Sequence, residues 1–243
     1  MIKLVENNKE ALLVLENLSV DTAPLLASKM FTEGFGVKQD FLQFYAAFND
    51  KGKLCAAFIK CNDRVFCLIE TLYDKDEILL FLRGFQDFKI FISNAYANII
   101  DRVNYYTCSL MVKKHKSQAI PNSISEIESK QFTNIIMNGK DKEYSIRFFL
   151  NNSHLARHGY LKNYAYSKGH EIVSIASVYS NNNFSYLCNV FTPEVFRHKG
   201  YASELIGKIT NNSEFHLICS KDVSPLYIKC GFTAYSEWIE FLY

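Results

Sequence analysis

Long apolar runs are missing from this chain. No stretch of about 18 apolar residues occurs, and the longest candidate, residues 78–92, is broken by Arg83, Asp87 and Lys89. A membrane span is therefore not expected. A secretory leader is not expected either, because the first apolar run, Ala11 to Leu15, is short and bounded by Glu10 and Glu16. Charge of one sign is equally scarce. A net charge of +2 gives no electrostatic footprint for nucleic acid, and the short run Lys113-Lys114-His115-Lys116 reads as a solvated linker. Paired cysteines are absent. The seven (Cys55, Cys61, Cys67, Cys108, Cys188, Cys219 and Cys230) are odd in number, form no C-x-x-C and sit in apolar runs. That pattern predicts reduced, buried thiols and no zinc site. No G-x-x-x-x-G-K-[ST] occurs, so a P-loop nucleotide enzyme is excluded, and no H-E-x-x-H or third ligand supports a zinc pair at His154 and His158. The remaining expectation is a cytoplasmic protein with no metal, no nucleic-acid partner and no membrane partner, either a monomer or a homodimer.

What is present is a substantial core. Hydrophobic residues make up 49% of 243 positions, and one domain takes about 100–200 residues, so two small domains or one large one fit. Apolar spacing predicts a strand at residues 2–5, helices at 9–18 and 22–31, and strands at 41–48, 54–60 and 65–72. A helix at 77–85, a strand at 89–93, a helix at 95–103 and a strand at 105–112 follow. After a charged, Pro121-containing linker (113–123) the same order returns. Residues 125–137 form a short strand or a helix entry. Tyr144 to His158 is a helix closed by Gly159. Strands are predicted at 160–166, 171–179 and 184–191, a helix at 201–209, a strand at 215–219, a short helix at 225–230 and a terminal pair of strands at 232–243. The reading is an α/β (α+β mixed-sheet) fold in two halves, 1–112 and 124–243, repeating one architecture with almost no shared sequence.

The stretch Val190-Phe191-Thr192-Pro193-Glu194-Val195-Phe196-Arg197-His198-Lys199-Gly200-Tyr201-Ala202-Ser203 carries the functional signal. A strand enters it and a helix leaves it. The first N–H groups of a helix have no intrahelical partner, and the dipole adds positive charge there. A pyrophosphate fits that end. Gly200 permits a tight loop and close backbone approach, Ala202 is small, and Arg197 offers forked, charge-assisted bonds. An Arg-then-Gly spacing alone also describes many ordinary loops.

This stretch resembles the acetyl-CoA-binding motif of the GNAT superfamily of acyltransferases, with His198 where Gly is more common. Downstream, Ser224-Pro225-Leu226-Tyr227-Ile228-Lys229-Cys230-Gly231-Phe232 is similar to the family's L-Y-x-K-x-G-F motif. The resemblance covers residues 125–243 and reaches the first half only through strand order. It implies a tandem protein whose first half is a degenerate GNAT-like partner. The backbone of Val190, Phe191 and Thr192 would pair with the pantetheine arm of acetyl-CoA, and Ser220 would add a bond to it. Residues Arg197, His198, Lys199, Gly200, Tyr201 and Ala202 would hold the pyrophosphate. Tyr227 would protonate the departing thiolate after direct attack by a primary amine; the other reading of Tyr227 is a core aromatic. A small molecule or a peptide could be the amine acceptor.

A third constellation is Asn151-Asn152-Ser153-His154-Leu155-Ala156-Arg157-His158-Gly159. His154 and His158 are four apart and share a helix face with Arg157 close by. The segment resembles D-x-S-H-R-x-R-H-G of some GNAT-like proteins, departing from it at Asn151 and Leu155. Its residues would touch an acidic acceptor or take its proton, or else cap the helix C-terminus. No general base is evident, so a non-catalytic CoA-binding module stands as the alternative to an N-acetyltransferase. In the first half the matching junction, residues 70–77, has no Gly and no Arg but several carboxylates. These would repel a pyrophosphate, so no second CoA site is expected.

Overall fold

The computed structural model describes residues 1–100, 105–114, 123–180, 184–210 and 214–242. Residues 115–122 of the linker expected at 113–123, the turn at 181–183 and the end of the helix expected at 95–103 lie outside the described residues. Lys113, expected to be solvated linker, instead ends a strand and is buried, its Nζ donating to Thr210 Oγ1 at 2.8 Å. The first repeat contains β1 (Ile2–Leu4), α1 (Asn8–Asn17), α2 (Thr22–Phe35), β2 (Leu42–Phe48), β3 (Leu54–Cys61), β4 (Arg64–Ile69), α3 (Lys75–Leu82), β5 (Lys89–Ser93) and β6 (Tyr106–Lys113). The second contains β7 (Ile124–Glu126), α4 (Ser129–Ile136), α5 (Lys142–Arg157), β8 (Leu161–Lys168), β9 (Glu171–Ser180), β10 (Phe184–Phe191), α6 (Tyr201–Ile209), β11 (Glu214–Ser220), α7 (Ser224–Lys229) and β12 (Thr233–Leu242). The repeat is strand, two helices, three strands, helix and strand in both, within a mixed α/β fold. No helix among the described residues is long and apolar enough to cross a membrane.

Two units emerge, and the division is not a single cut along the chain. One unit holds Met1–Leu110 with Ile218–Lys221 and Tyr235–Tyr243; the other holds Met111–Leu217 with Asp222–Ala234. In the first unit β1 to β4 form an antiparallel meander, and β5 returns parallel to β4 through α3. Strands β3 and β4 are buried on both faces, which explains their continuous apolar runs. Ala56, Phe58, Val65, Cys67, Ile90 and Ile92 form the centre of the core under α3, joined by Ile239 and Phe241 of β12.

Strand β12 corrects an expectation. A terminal pair of strands was expected at 232–243, but one unbroken strand runs there. Residues 233–242 contain no Gly, Pro or Asn to turn the chain. The strand pairs antiparallel with β5, from Trp238↔Ser93 to Leu242↔Lys89. Asp21, ahead of α2, anchors it by accepting from Trp238 Nε1 at 2.6 Å and Ser236 Oγ at 2.9 Å. The helix expected from Ala95 is instead a 3-10 helix, Asn94–Ile99. The ambiguous 125–137 stretch resolves into β7 and α4.

The second unit orders its strands β11-β10-β9-β8-β7, with β10 and β11 parallel and the rest antiparallel. α6 buries Leu205, Ile206 and Ile209 and packs against β8 and β9. The cysteines are free; five are buried, while Cys188 and Cys230 are half-buried. Burial pushes the Cys108 thiol up to about 11 and those of Cys61 and Cys219 up to about 12.

Strand β11 contributes a buried imidazole. His216 Nε2 lies 2.9 Å from Glu214 Oε1, with the Phe184 ring edge-on at 5.8 Å. Burial lowers the His216 pKa, and Glu214 opposes that without reversing it. A histidine whose folded pKa lies below its unfolded value of about 6.5 binds fewer protons when folded. Its contribution is therefore complete above about pH 6.5 and is lost as pH falls towards the folded pKa. Thermal stability is expected to drop between about pH 7 and pH 5.5, and His216→Gln should flatten that segment of the profile. An equally steep profile in the variant would remove His216 as the cause.

Candidate functional site

The site is built where β10 stops being a regular strand. Against β9 its register runs Ser185↔Ser180 to Cys188↔Ser177, and then Phe191↔Ile175. Three steps on β10 match two on β9, so one residue is extra. It is a β-bulge, and Asn189 takes the left-handed conformation there, with φ +53°. Asn tolerates that region better than most residues. On the other edge, the parallel register with β11 runs only from Phe184↔Glu214 to Tyr186↔His216, although β10 continues to Phe191. The end of β10 therefore carries an unlatticed backbone edge in the described residues. On the β9 side Ser174 Oγ donates to Phe191 O at 3.3 Å and lies 3.0 Å from Thr192 Oγ1.

Beyond Thr192 the chain makes a 3-10 turn at Glu194–Phe196, closed by Phe196 N–H to Pro193 O (2.9 Å) and Arg197 N–H to Glu194 O (3.1 Å). Arg197 Nε donates back to Thr192 O at 3.1 Å, which ties the loop to the end of β10. His198 and Gly200 are both left-handed, with φ +61° and +84°. Gly200 starts α6, and no side chain caps the helix there. A Cβ on Gly200 would meet nothing within 4 Å, so the space above it is open and the dihedral angle is what demands glycine. Aromatic contacts carry the loop: Tyr201 meets the rings of Phe196 and Tyr166 edge-on, and Lys199 Nζ lies 5.7 Å over Phe196.

His198 is the side chain that pays for this shape. A left-handed non-Gly residue costs roughly 1–2 kcal/mol, and glycine adds back roughly 0.5–1 kcal/mol of unfolded-state entropy. His198→Gly is thus expected to stabilise the protein by about 0.5–1 kcal/mol, readable as a raised denaturation midpoint. A lowered midpoint would contradict the strain.

Tyr227 lies in α7 and is 9% exposed. Its ring meets Phe232 edge-on at 5.9 Å, and its carbonyl accepts from Phe232 N–H at 3.0 Å. Cys230 Sγ at the end of α7 donates to Ser203 O at 3.7 Å, which sets α7 against the first turn of α6. Phe191, Thr192, Arg197 to Ala202 and Tyr227 thus belong to one connected region. Ser220 is exposed and falls in the 218–221 segment grouped with the first unit.

The His154 group lies at the end of α5. The two imidazole rings are 4.5 Å apart, Arg157 Nε donates to Ser153 O at 3.3 Å, and His158 caps the helix by donating its N–H to His154 O at 3.2 Å. Arg157 and His158 are exposed. Capping and substrate contact are both compatible with this geometry. Among the described residues no group of three or more His, Cys, Asp or Glu could hold a metal ion.

Sequence reasoning missed a buried polar chain. Asn163 (3% exposed) and Asn152 (4%) exchange two side-chain hydrogen bonds, of 3.1 and 2.7 Å. Asn163 Oδ1 also accepts from Ser177 Oγ at 2.7 Å, and its Nδ2 also donates to Ser129 Oγ at 3.3 Å. Ser177 in turn accepts from Asn189 Nδ2 at 3.4 Å. The chain links α4, α5, β8 and β9 to the bulge. Its only sequence signal was polar residues inside otherwise apolar strands.

In the first unit the equivalent junction is closed. β4 pairs with β3 from Cys61↔Arg64 to Ala56↔Ile69 without a shift, and with β5 over Arg64–Cys67. The N-terminus of α3 is capped by its own Asp74, which accepts from Glu77 N–H at 2.9 Å. Asp76 and Glu77 fill the first turn. An anion would meet carboxylates where α6 offers open N–H groups.

No protein-family model matches the chain, and no curated protein matches it in sequence. Solved structures do match in shape. A GNAT-family acetyltransferase from Colwellia psychrerythraea superposes with a TM-score of 0.60 at 13% identity, over 100% of this chain and 99% of the other. A tandem GNAT protein from the clavulanic acid biosynthesis pathway gives 0.61 at 10% identity, over 99% and 97%. Saccharomyces cerevisiae N-myristoyltransferase, solved with bound myristoyl-CoA and inhibitors, gives 0.59 at 11% identity, over 99% of this chain and 79% of that one. With two repeats, one bulged and one closed, and near-complete overlap with a tandem relative, the fold of this chain is the tandem GNAT fold.

Proposed function

We propose that the protein transfers an acetyl group from acetyl-CoA to a primary amine of a small molecule or peptide. One observation carries the reading: a bulged β10 that parts from β11 and runs directly into the uncapped N-terminus of α6. The residues present fit acyl-CoA. The open space over Gly200 admits a pyrophosphate, the first-turn N–H groups of Tyr201 and Ala202 and the guanidinium of Arg197 supply donors, and His198 and Lys199 add positive field. The unlatticed edge at Val190–Thr192 offers main-chain groups to the amides of a pantetheine arm. Tyr227 donates a proton to the departing thiolate once the amine has attacked the thioester carbonyl. His154, Arg157 and His158 form the candidate acceptor contacts, and the Arg157 guanidinium favours an acceptor that bears a carboxylate.

The test is calorimetric titration with acetyl-CoA, followed by thiol release over a panel of amines that includes amino acids, polyamines and peptide N-termini. Binding with turnover on one amine class is the expected result, and Gly200→Glu should abolish both. Binding with no turnover on any amine would favour a CoA-binding module without chemistry. Absence of binding at millimolar acetyl-CoA would overturn the proposal.

A further inference from the structure

The bulge at Asn189 is held from within the protein. Its Nδ2 reaches Ser177, Ser177 reaches Asn163, and Asn163 is locked to Asn152 of α5 and Ser129 of α4. Asn163 uses both lone pairs of its oxygen and both amide hydrogens, the full capacity of a carboxamide. A buried carboxamide satisfied four ways has one allowed orientation, so it fixes the groups around it. Ser177 is fully buried and Asn163 and Asn152 nearly so; water cannot replace a lost partner easily. The relay ends on the one residue of β10 that is left-handed without being glycine.

We infer that Asn152, Asn163, Ser177 and Asn189 form a positioning relay that sets the bulge of β10, and through it the acyl-CoA cleft, from the register of α5 on β8. None of the four needs to touch the ligand. Asn189 accepts the left-handed angle, and its side chain chooses where the bulge sits. The same relay begins two residues before His154, so the helix that carries the candidate acceptor contacts and the strand that carries the donor edge share one set of buried bonds. A displacement of α5 on acceptor binding would therefore change donor affinity, and the converse follows by linkage. This inference rests on the acyl-CoA reading of the cleft.

The experiment is acetyl-CoA titration of the full chain and four variants: Ser177→Ala, Asn189→Gly, the double variant, and Ser185→Ala as a control. Ser185 makes a half-buried hydroxyl contact with Ser180 (3.0 Å) at the far end of the same strand. All titrations are run well below each variant's melting temperature. Ser177→Ala and Asn189→Gly should each weaken acetyl-CoA binding about tenfold, the loss expected for one hydrogen bond at the upper end of its range. The double variant should be no worse than either single one, because both remove the same link. Ser185→Ala should lower the melting temperature and leave affinity unchanged. If the wild-type chain binds no acetyl-CoA, the acyl-CoA reading falls first. If it binds, and Ser177→Ala and Asn189→Gly bind as tightly while melting lower, the relay is merely structural and the inference is wrong. Additive losses in the double variant would also overturn it.

Discussion

Trp238→Ala is expected to destabilise the first unit by about 3–5 kcal/mol, a large share of the 5–15 kcal/mol that holds a typical domain. Trp238 is 2% exposed and belongs to the last strand, yet it pairs with Ser93 in β5. Truncation removes the largest fully buried side chain and leaves the Asp21 carboxylate with Ser236 as its remaining described partner. Trp238→Phe separates the two losses. It keeps an aromatic ring but deletes the indole N–H, and should cost about 1–3 kcal/mol. Trp238 is the single tryptophan of the chain, so its fluorescence in the wild type reports the first unit. Circular dichroism in urea reads both variants. A midpoint for Trp238→Ala within error of the wild type would show that β12 is dispensable to the first unit.

That strand marks the limit of what the sequence discloses. Local features were legible. The Arg197–Ala202 loop was visible as a candidate anion cradle because the residues that suggest it are six consecutive ones, and the carboxylates at Asp74, Asp76 and Glu77 announced a capped helix end in the same way. The repeat itself was visible in the order of apolar periods. Partners distant in the chain were not legible. Nothing in residues 235–242 says that they pair with residues 89–93, because an apolar strand fits any sheet with a free edge. The bulge was hidden for another reason: Asn189 in an extended run looks like a surface residue until its φ is known. Ser174 and Ser177 were misleading likewise. They sit in a strand buried on both faces, where a hydroxyl must find a partner, and only the fold shows that Asn163 and Thr192 supply one. The sequence shows chemistry when it is contiguous; it conceals the supports that chemistry stands on when these are brought together by the fold.

Tyr227→Phe should lower turnover roughly 10²–10⁴-fold, the range for losing a positioned general acid, while acetyl-CoA affinity changes little. The substitution keeps the ring, its edge contact with Phe232 and the main-chain bonds of α7. It removes one hydroxyl. If that hydroxyl protonates the leaving thiolate, the interaction exists in the transition state and not in the bound ground state. Its loss must then appear in kcat and in kcat/KM alike. If Tyr227 is instead a packing aromatic, Phe is nearly isosteric and turnover should stay within about twofold. A rise in KM with unchanged kcat would assign the hydroxyl to binding rather than to proton transfer. These outcomes are read from one steady-state series with a single amine. Comparison with Gly200→Glu then separates the two halves of the site. Loss at Gly200 removes the donor outright, whereas loss at Tyr227 leaves the donor bound and the thioester intact, so the bound acyl-CoA should be recoverable unhydrolysed from the variant.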